Sequence, residues 1–217
     1  MRLPSLQSLT VEAASCDPVP PLLSGVVPPL RSSDEPPVLC AVAGRSDAGE
    51  ECIAFLHQPT ASRGERVRPA AAFSKPRGVS FSAAAQLMLP ALTACAALQA
   101  VGIGSPAVAG TPSPRVVVAG SSGRLPALLV QMLCVAGCEP LVAGRAQDVA
   151  AIRALGPAVA ALDHNAENFA LVATARSGGG RLHAVFDTLG CEEEESLVQE
   201  YLDAAPQLVE NAASCPV

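Results

Sequence analysis

The chain predicts an α/β protein built on a parallel, doubly wound sheet, and three observations carry that expectation. Residues 115–119 are a largely β-branched run without polar alternation, which reads as a strand buried on both faces. The turn Gly120-Ser-Ser-Gly123 follows, and residues 125–134 then repeat apolar side chains at helical spacing up to Gly137. Further apolar runs at 141–143, 158–162 and 184–187 alternate with segments of helical pattern, as parallel strands require when each crossover is covered by a helix. Ligands of such sheets bind beyond the carboxyl ends of the strands, here Gly120, Gly144, Asp163 and Asp187. The first strand-turn-helix unit also brings backbone N–H groups and a helix N-terminus together, where a pyrophosphate can sit.

In chain order, residues 1–37 hold eight prolines, so extended strands, turns or a wrapping arm are expected rather than long helices. Residues 38–44 and 52–56 read as two short strands forming a hairpin around Arg45-Ser-Asp-Ala-Gly49. Residues 58–69 read as a polar loop. Lys75-Pro-Arg-Gly78 precedes Ser80, the expected N-cap of a helix starting near Phe81, with Ser82 as the alternative. Residues 83–89 and 92–101 are helical in pattern, separated or kinked at Pro90, and 102–114 are loop. After the opening unit, helices are expected over 147–155, 169–176 and 192–202.

Composition narrows the function classes. The 217 residues suffice for a sizeable core, and with no Trp that core must be built from Ala, Val and Leu. A net charge of -6 and the lack of a basic patch argue against nucleic acid or an anionic membrane surface as partner. Eight scattered cysteines lack zinc-site pairing and fit reduced thiols in an intracellular compartment. The start of the chain, with Arg2 and no acid before Glu12, is weakly like a mitochondrial targeting segment and equally like an N-terminal strand; the compartment is mitochondrial or cytoplasmic. The uncharged run 83–104 is long enough to be weighed as a membrane span, but Pro90 and its Ala-rich content favour buried helices and no transmembrane segment.

Four phrases carry a family resemblance. Lys75-Pro-Arg-Gly-Val-Ser-Phe-Ser-Ala-Ala-Ala, Leu89-Pro-Ala-Leu-Thr-Ala-Cys-Ala-Ala-Leu98, Val116-Val-Val-Ala-Gly-Ser-Ser-Gly123 and Val185-Phe-Asp-Thr-Leu-Gly190 stand in the order and spacing of the medium-chain dehydrogenase/reductase superfamily. Within it the chain resembles the zinc-free quinone oxidoreductase and enoyl reductase branch, in a truncated and divergent form. The resemblance implies a Rossmann-type domain, residues 75–217, incomplete at its C-terminal half. Before it, residues 1–74 would combine a Pro-rich arm with the remnant of a GroES-like catalytic β domain.

By that resemblance, cofactor contacts fall to Gly120, Ser121, Ser122, Gly123 and Arg124 at the turn, with Thr93, Asp187 and Gly190 near the nicotinamide. Asp187 is equally a strand-end cap, and Thr93 equally a helical Thr bonding its own backbone. Arg145 stands where an acid would select NAD, and an Arg there fits the 2′-phosphate of NADP; the competing reading is a solvated strand-end Arg. The departures fall at the turn, where Gly123 is followed by Arg124-Leu125-Pro126 in place of a further glycine pattern. Pro126 adds a ring and removes an N–H donor, although a helix tolerates Pro in its first turn. Arg124 either pairs with phosphate or occupies the site.

No catalytic residue is assignable and no metal site is readable: His57, His164 and His183 are isolated, Cys134 and Cys138 read as packing, and Glu192-Glu-Glu-Glu195 as an exposed helix start. The expectation is therefore a catalytically inactive accessory or structural subunit of a larger assembly, mitochondrial or cytoplasmic, partnered by other protein subunits, with NADPH binding in doubt. The alternative is an active NADPH-dependent quinone or enone oxidoreductase.

Overall fold

A computed structural model describes residues 8–18, 38–56, 60–104, 113–163 and 182–188. The chain divides into two compact units, Met1–Leu92 and Thr93–Val217.

The first unit is an antiparallel sheet of five strands in the order β4-β1-β2-β3-β5. These are β1 (Leu9–Pro18), β2 (Val38–Ser46), β3 (Glu51–Leu56), β4 (Arg66–Val67) and β5 (Ala71–Ser74). The expected hairpin is β2 and β3, whose turn closes through Ser46 N–H to the Glu50 carbonyl and Gly49 N–H to the Ser46 carbonyl, both 2.9 Å. Part of the Pro-rich segment becomes β1, a central strand flanked by β2 and β4. The stretch expected as loop contains β4, and β5 has no counterpart in the sequence expectation. Both are too short to show a period, and each is held by its partner strand. Alternate residues Leu9, Val11, Val42, Ala54, Leu56 and Val67 form the core of one face. Each large aliphatic side chain buried there contributes roughly 1.5–3 kcal/mol.

Helix α1 (Phe81–Ala100) starts as expected, with the Ser80 hydroxyl accepting from Ala83 N–H at 3.1 Å. It runs through Pro90 without separating into two helices. Pro inside a helix costs about 3 kcal/mol. The offsetting term is an apolar stripe at helical spacing, Ala84, Ala85, Met88, Leu89, Ala94, Ala97 and Leu98, all buried. By length and composition α1 is long and apolar enough to cross a membrane, and 44% of its apolar window is buried.

The second unit holds a parallel sheet in the order β8-β7-β6-β9. Its strands are β6 (Arg115–Ala119), β7 (Glu139–Gly144), β8 (Ala160–Asp163) and β9 (Ala184–Asp187). Val116, Val117 and Val118 are wholly buried, so the run without polar alternation is a strand covered on both faces. Helix α2 (Arg124–Val135) crosses from β6 to β7 and buries Pro126, Leu129, Val130 and Leu133. A 3-10 turn (Ala146–Asp148) and the short helix α3 (Val149–Arg153) lead from β7 to β8. The expected helices at 169–176 and 192–202, the acidic run 192–195, and Gly190, His57 and His164 lie outside the described residues.

Candidate functional site

The carboxyl end of β6 opens into the turn at residues 120–123. Gly120 is at φ +109° and Gly123 at φ +105°, a region that side-chain-bearing residues rarely adopt. Gly120 N–H donates to the Ala143 carbonyl at 2.9 Å, which ties the turn to β7. Gly123 is the N-cap of α2 and supplies no side-chain cap, and the first turn of the helix carries no acid. The first N–H groups of α2 and its positive dipole end are therefore left for an anion. Beside Gly123 the space is open: the nearest atom to a Cβ built there is Pro126 Cδ at 4.0 Å.

Pro126 is the third residue of α2 and is buried, so the helix forms with this ring inside its first turn. It withholds one donor from the N-terminus, while Arg124 and Ser122 are exposed at the rim. Ser121 points toward β7 and the turn after it. Its hydroxyl donates to Asp148 Oδ2 at 2.8 Å and accepts from Arg145 N–H at 3.3 Å. Gly144 makes that placement possible, because a Cβ on residue 144 would lie 2.4 Å from Ser121 Cβ and 2.7 Å from its Oγ. The Arg145 side chain is exposed and forms no ion pair among the described residues.

Asp187 ends β9 opposite Ala119 and is 5% exposed. The next residue, Thr188, donates its N–H and its hydroxyl to the Ala119 carbonyl at 2.9 and 2.8 Å, fixing the end of β9 against the end of β6. Thr93, in α1, is 1% exposed within the same compact unit. Of the residues anticipated from sequence, hydrogen bonds join Ser121 with Arg145 and strand pairing joins the end of β6 with Asp187. Sequence reasoning names Gly144 only as a strand end and does not single out Asp148 or Thr188. Asp148 reads as one residue of an amphipathic helix, and its pairing with Ser121 spans 27 positions. Among the described residues no group of three His, Cys, Asp or Glu side chains is placed to hold a metal.

No family model matches the chain, and no curated protein matches it significantly. Solved structures do. The quinone oxidoreductase of Thermus thermophilus, solved alone and with NADPH, is 28% identical with a TM-score of 0.60, over 88% of this chain and 60% of that one. The CurK enoyl reductase is 21% identical with a TM-score of 0.65, over 94% and 64%. The Escherichia coli quinone oxidoreductase complexed with NADPH is 18% identical with a TM-score of 0.59, over 90% and 62%. The chain thus spans a little under two thirds of the length of each of these three proteins. Its long helix and its β6-turn-α2 unit follow one another as the sequence phrases anticipate: the chain carries the fold of the medium-chain dehydrogenase/reductase superfamily, as its quinone oxidoreductases and enoyl reductases have it.

Proposed function

We propose that the chain binds a pyridine dinucleotide at the β6-α2 turn and serves oxidoreductase chemistry of the quinone or enone reductase type. The observation that carries this reading is the turn itself. Gly120 and Gly123 hold positive φ, and the α2 N-terminus has neither a side-chain cap nor a first-turn acid. The residues fit the pyrophosphate part of such a group: open space beside Gly123 admits close approach, and the α2 N–H groups face it. Arg124 at the rim adds a bidentate donor for phosphate. The two neighbours solved with NADPH support the cofactor class. When bound, the dinucleotide supplies hydride transfer; the protein contributes binding, orientation and exclusion of water. Thr188 fixes the β9 end through the Ala119 carbonyl, and so holds Asp187 beside the turn where the reacting ring would be bordered.

A second reading is favoured by one observation, Pro126 in the first turn of α2. With one donor removed, the same scaffold serves as a catalytically silent accessory subunit of a larger intracellular assembly, such as a mitochondrial one. Titration with NADH and NADPH while following thermal unfolding separates the two. Ligand that binds only the folded state stabilises it by roughly 2.7 kcal/mol at a hundredfold excess over Kd. A saturable rise in melting temperature is the expected result. No rise in well-folded protein, together with recovery in a stable complex with other subunits, would favour the accessory role.

A further inference from the structure

We propose that the groove between the C-terminal ends of α1 and α2 is a second binding site, built for a small uncharged aromatic molecule that carries one hydroxyl group. The inference does not depend on the dinucleotide reading above. The groove has a volume of about 300 Å³, at the lower end of the range for small-molecule sites, and its described lining lies within the second unit. It is separate from the β6-α2 turn, because Gln131 to Ala136 stand roughly 10–18 Å along α2 from Arg124 by the rise of an α-helix. Leu98 and Ile103, both buried, come from the end of α1 and the turn after it, and Met132, Val135 and Ala136 from the end of α2. Each wall is set before a ligand arrives. Gly102 at φ +75° lets Ile103 N–H donate to the Leu98 carbonyl at 2.8 Å, and Gly137 at φ +80° lets Cys138 N–H donate to the Leu133 carbonyl at 2.9 Å. Val135 at the rim is 84% exposed, and an apolar ring seated beside it would remove that surface from water.

The lining selects the ligand class. None of its described residues is charged. Two helix C-termini border the groove without a basic residue in the last turn of either, so their dipoles disfavour an anion. A cation would shed water without a carboxylate to replace it. Met132 adds an adaptable thioether, which contacts aromatic rings favourably. Gln131 is the one polar side chain of the described lining. Its Nε2 donates to the Ala127 carbonyl at 3.0 Å, which fixes the amide and leaves Oε1 and the second N–H without a bond among the described residues. A hydroxyl group can donate to the first or accept from the second, whereas a bare hydrocarbon does neither.

The test uses phenol, toluene and benzoate, which share the ring and differ in the group on it. Each is titrated into the full isotope-labelled chain, without nucleotide, and followed by amide chemical shifts. Phenol should shift the Gly104, Val135 and Ala136 amides saturably and bind about fivefold tighter than toluene, as one net hydrogen bond predicts, with benzoate weakest. Gln131→Met keeps the stem and removes the amide, and should bring phenol to the affinity of toluene while leaving toluene unchanged. Gly104, at the groove, is a position where an added Cβ meets no atom within 4 Å, so Gly104→Phe should abolish binding of all three without lowering the melting temperature. Phenol bound no tighter than toluene or benzoate overturns the ligand class, and a phenol preference that survives in Gln131→Met overturns the role of Gln131. The absence of saturable shifts at these amides, or binding that Gly104→Phe leaves intact, overturns the site. A wild-type chain that sediments as a dimer and becomes monomeric in Gly104→Phe gives the groove to a second copy and overturns the proposal as well.

Discussion

Ser121 occupies the space that a side chain on Gly144 would need. A Cβ on residue 144 would come within 2.4 Å of Ser121 Cβ and 3.0 Å of Ile152 Cδ1, distances that force one of the neighbours to move. Gly144→Ala is therefore expected to destabilise the second unit by about 1–3 kcal/mol, the usual effect of overpacking. In a chain of this size each kcal/mol lowers the melting temperature by roughly 2–4 °C. The clash begins at Ser121 Cβ, so Ser121→Gly in the Gly144→Ala background should recover part of the loss while Ser121→Ala should not. Thermal melts of the single and double variants check this, and strictly additive losses would contradict the contact.

Gly123 carries a different constraint. At φ +105° and ψ 178° it lies in a backbone region that is essentially glycine-only, yet a Cβ there would meet nothing closer than 4.0 Å. Gly123→Ala should therefore cost about 1–3 kcal/mol through strain alone. If the turn binds a dinucleotide, the variant should also weaken that binding by more than its loss of stability explains, because relieving the strain re-aims the α2 N–H groups. Unfolding in urea with and without NADH reads both effects from one preparation.

What the sequence discloses follows from the range of the interactions involved. The β6-turn-α2-β7 unit and β9 are legible because buried parallel strands advertise themselves as uninterrupted apolar runs, and Gly120, Gly123 and Gly137 punctuate them. The course of α1 through Pro90 is not, since the local rule says break and only the burial of residues on both sides of Pro90 outweighs it. A strand within residues 1–37 is anticipated and found in β1, but its bounds are obscured by the prolines around it, and β4 is two residues long and exists through its pairing with Leu9 and Thr10. At the site the turn is local and visible. The contact between Ser121 and Asp148, and the need for glycine at 144, arise from chain segments that meet only after the sheet has formed.

Thiol reactivity should follow burial. Cys95 is exposed, Cys134 half-buried, and Cys40, Cys52 and Cys138 are buried; none of the five forms a disulfide. Burial pushes the thiols of Cys52, Cys134 and Cys138 above their ordinary range, with the nearby Glu50 carboxylate adding to it at Cys52. The reactive species is the thiolate. Brief treatment of native protein with iodoacetamide near neutral pH, followed by peptide mapping, should label Cys95 ahead of Cys52 and Cys138, and all should label equally in denaturant. Early labelling of Cys138 in native protein would contradict the burial of the strand end it precedes.

The pH dependence of stability should be set in part by Lys75 and Glu51. The Lys75 side chain is only 4% exposed and lies 3.0 Å from Glu51 Oε2; it also bonds the Val79 carbonyl and sits 5.3 Å from the centre of the Phe81 ring. Arg45 adds a second bond to Glu51 at 2.9 Å. The bond from Lys75, chiefly, holds the Glu51 carboxyl below its ordinary value, and the Ser8 hydroxyl, with Arg66, does the same for Asp47. A carboxyl whose folded value lies below its unfolded one stabilises the fold above the unfolded value, and that contribution is lost as pH falls through the folded value. Urea midpoints should therefore drop between about pH 5 and pH 3. Lys75→Met keeps the buried stem and removes the charge. It leaves the Val79 carbonyl without this donor, at about 1–3 kcal/mol near neutral pH, and it should flatten the acid limb because Glu51 loses the chief interaction that lowers it and keeps only Arg45. An acid limb of unchanged steepness in Lys75→Met would show that the Lys75 bond to Glu51 does not contribute to it.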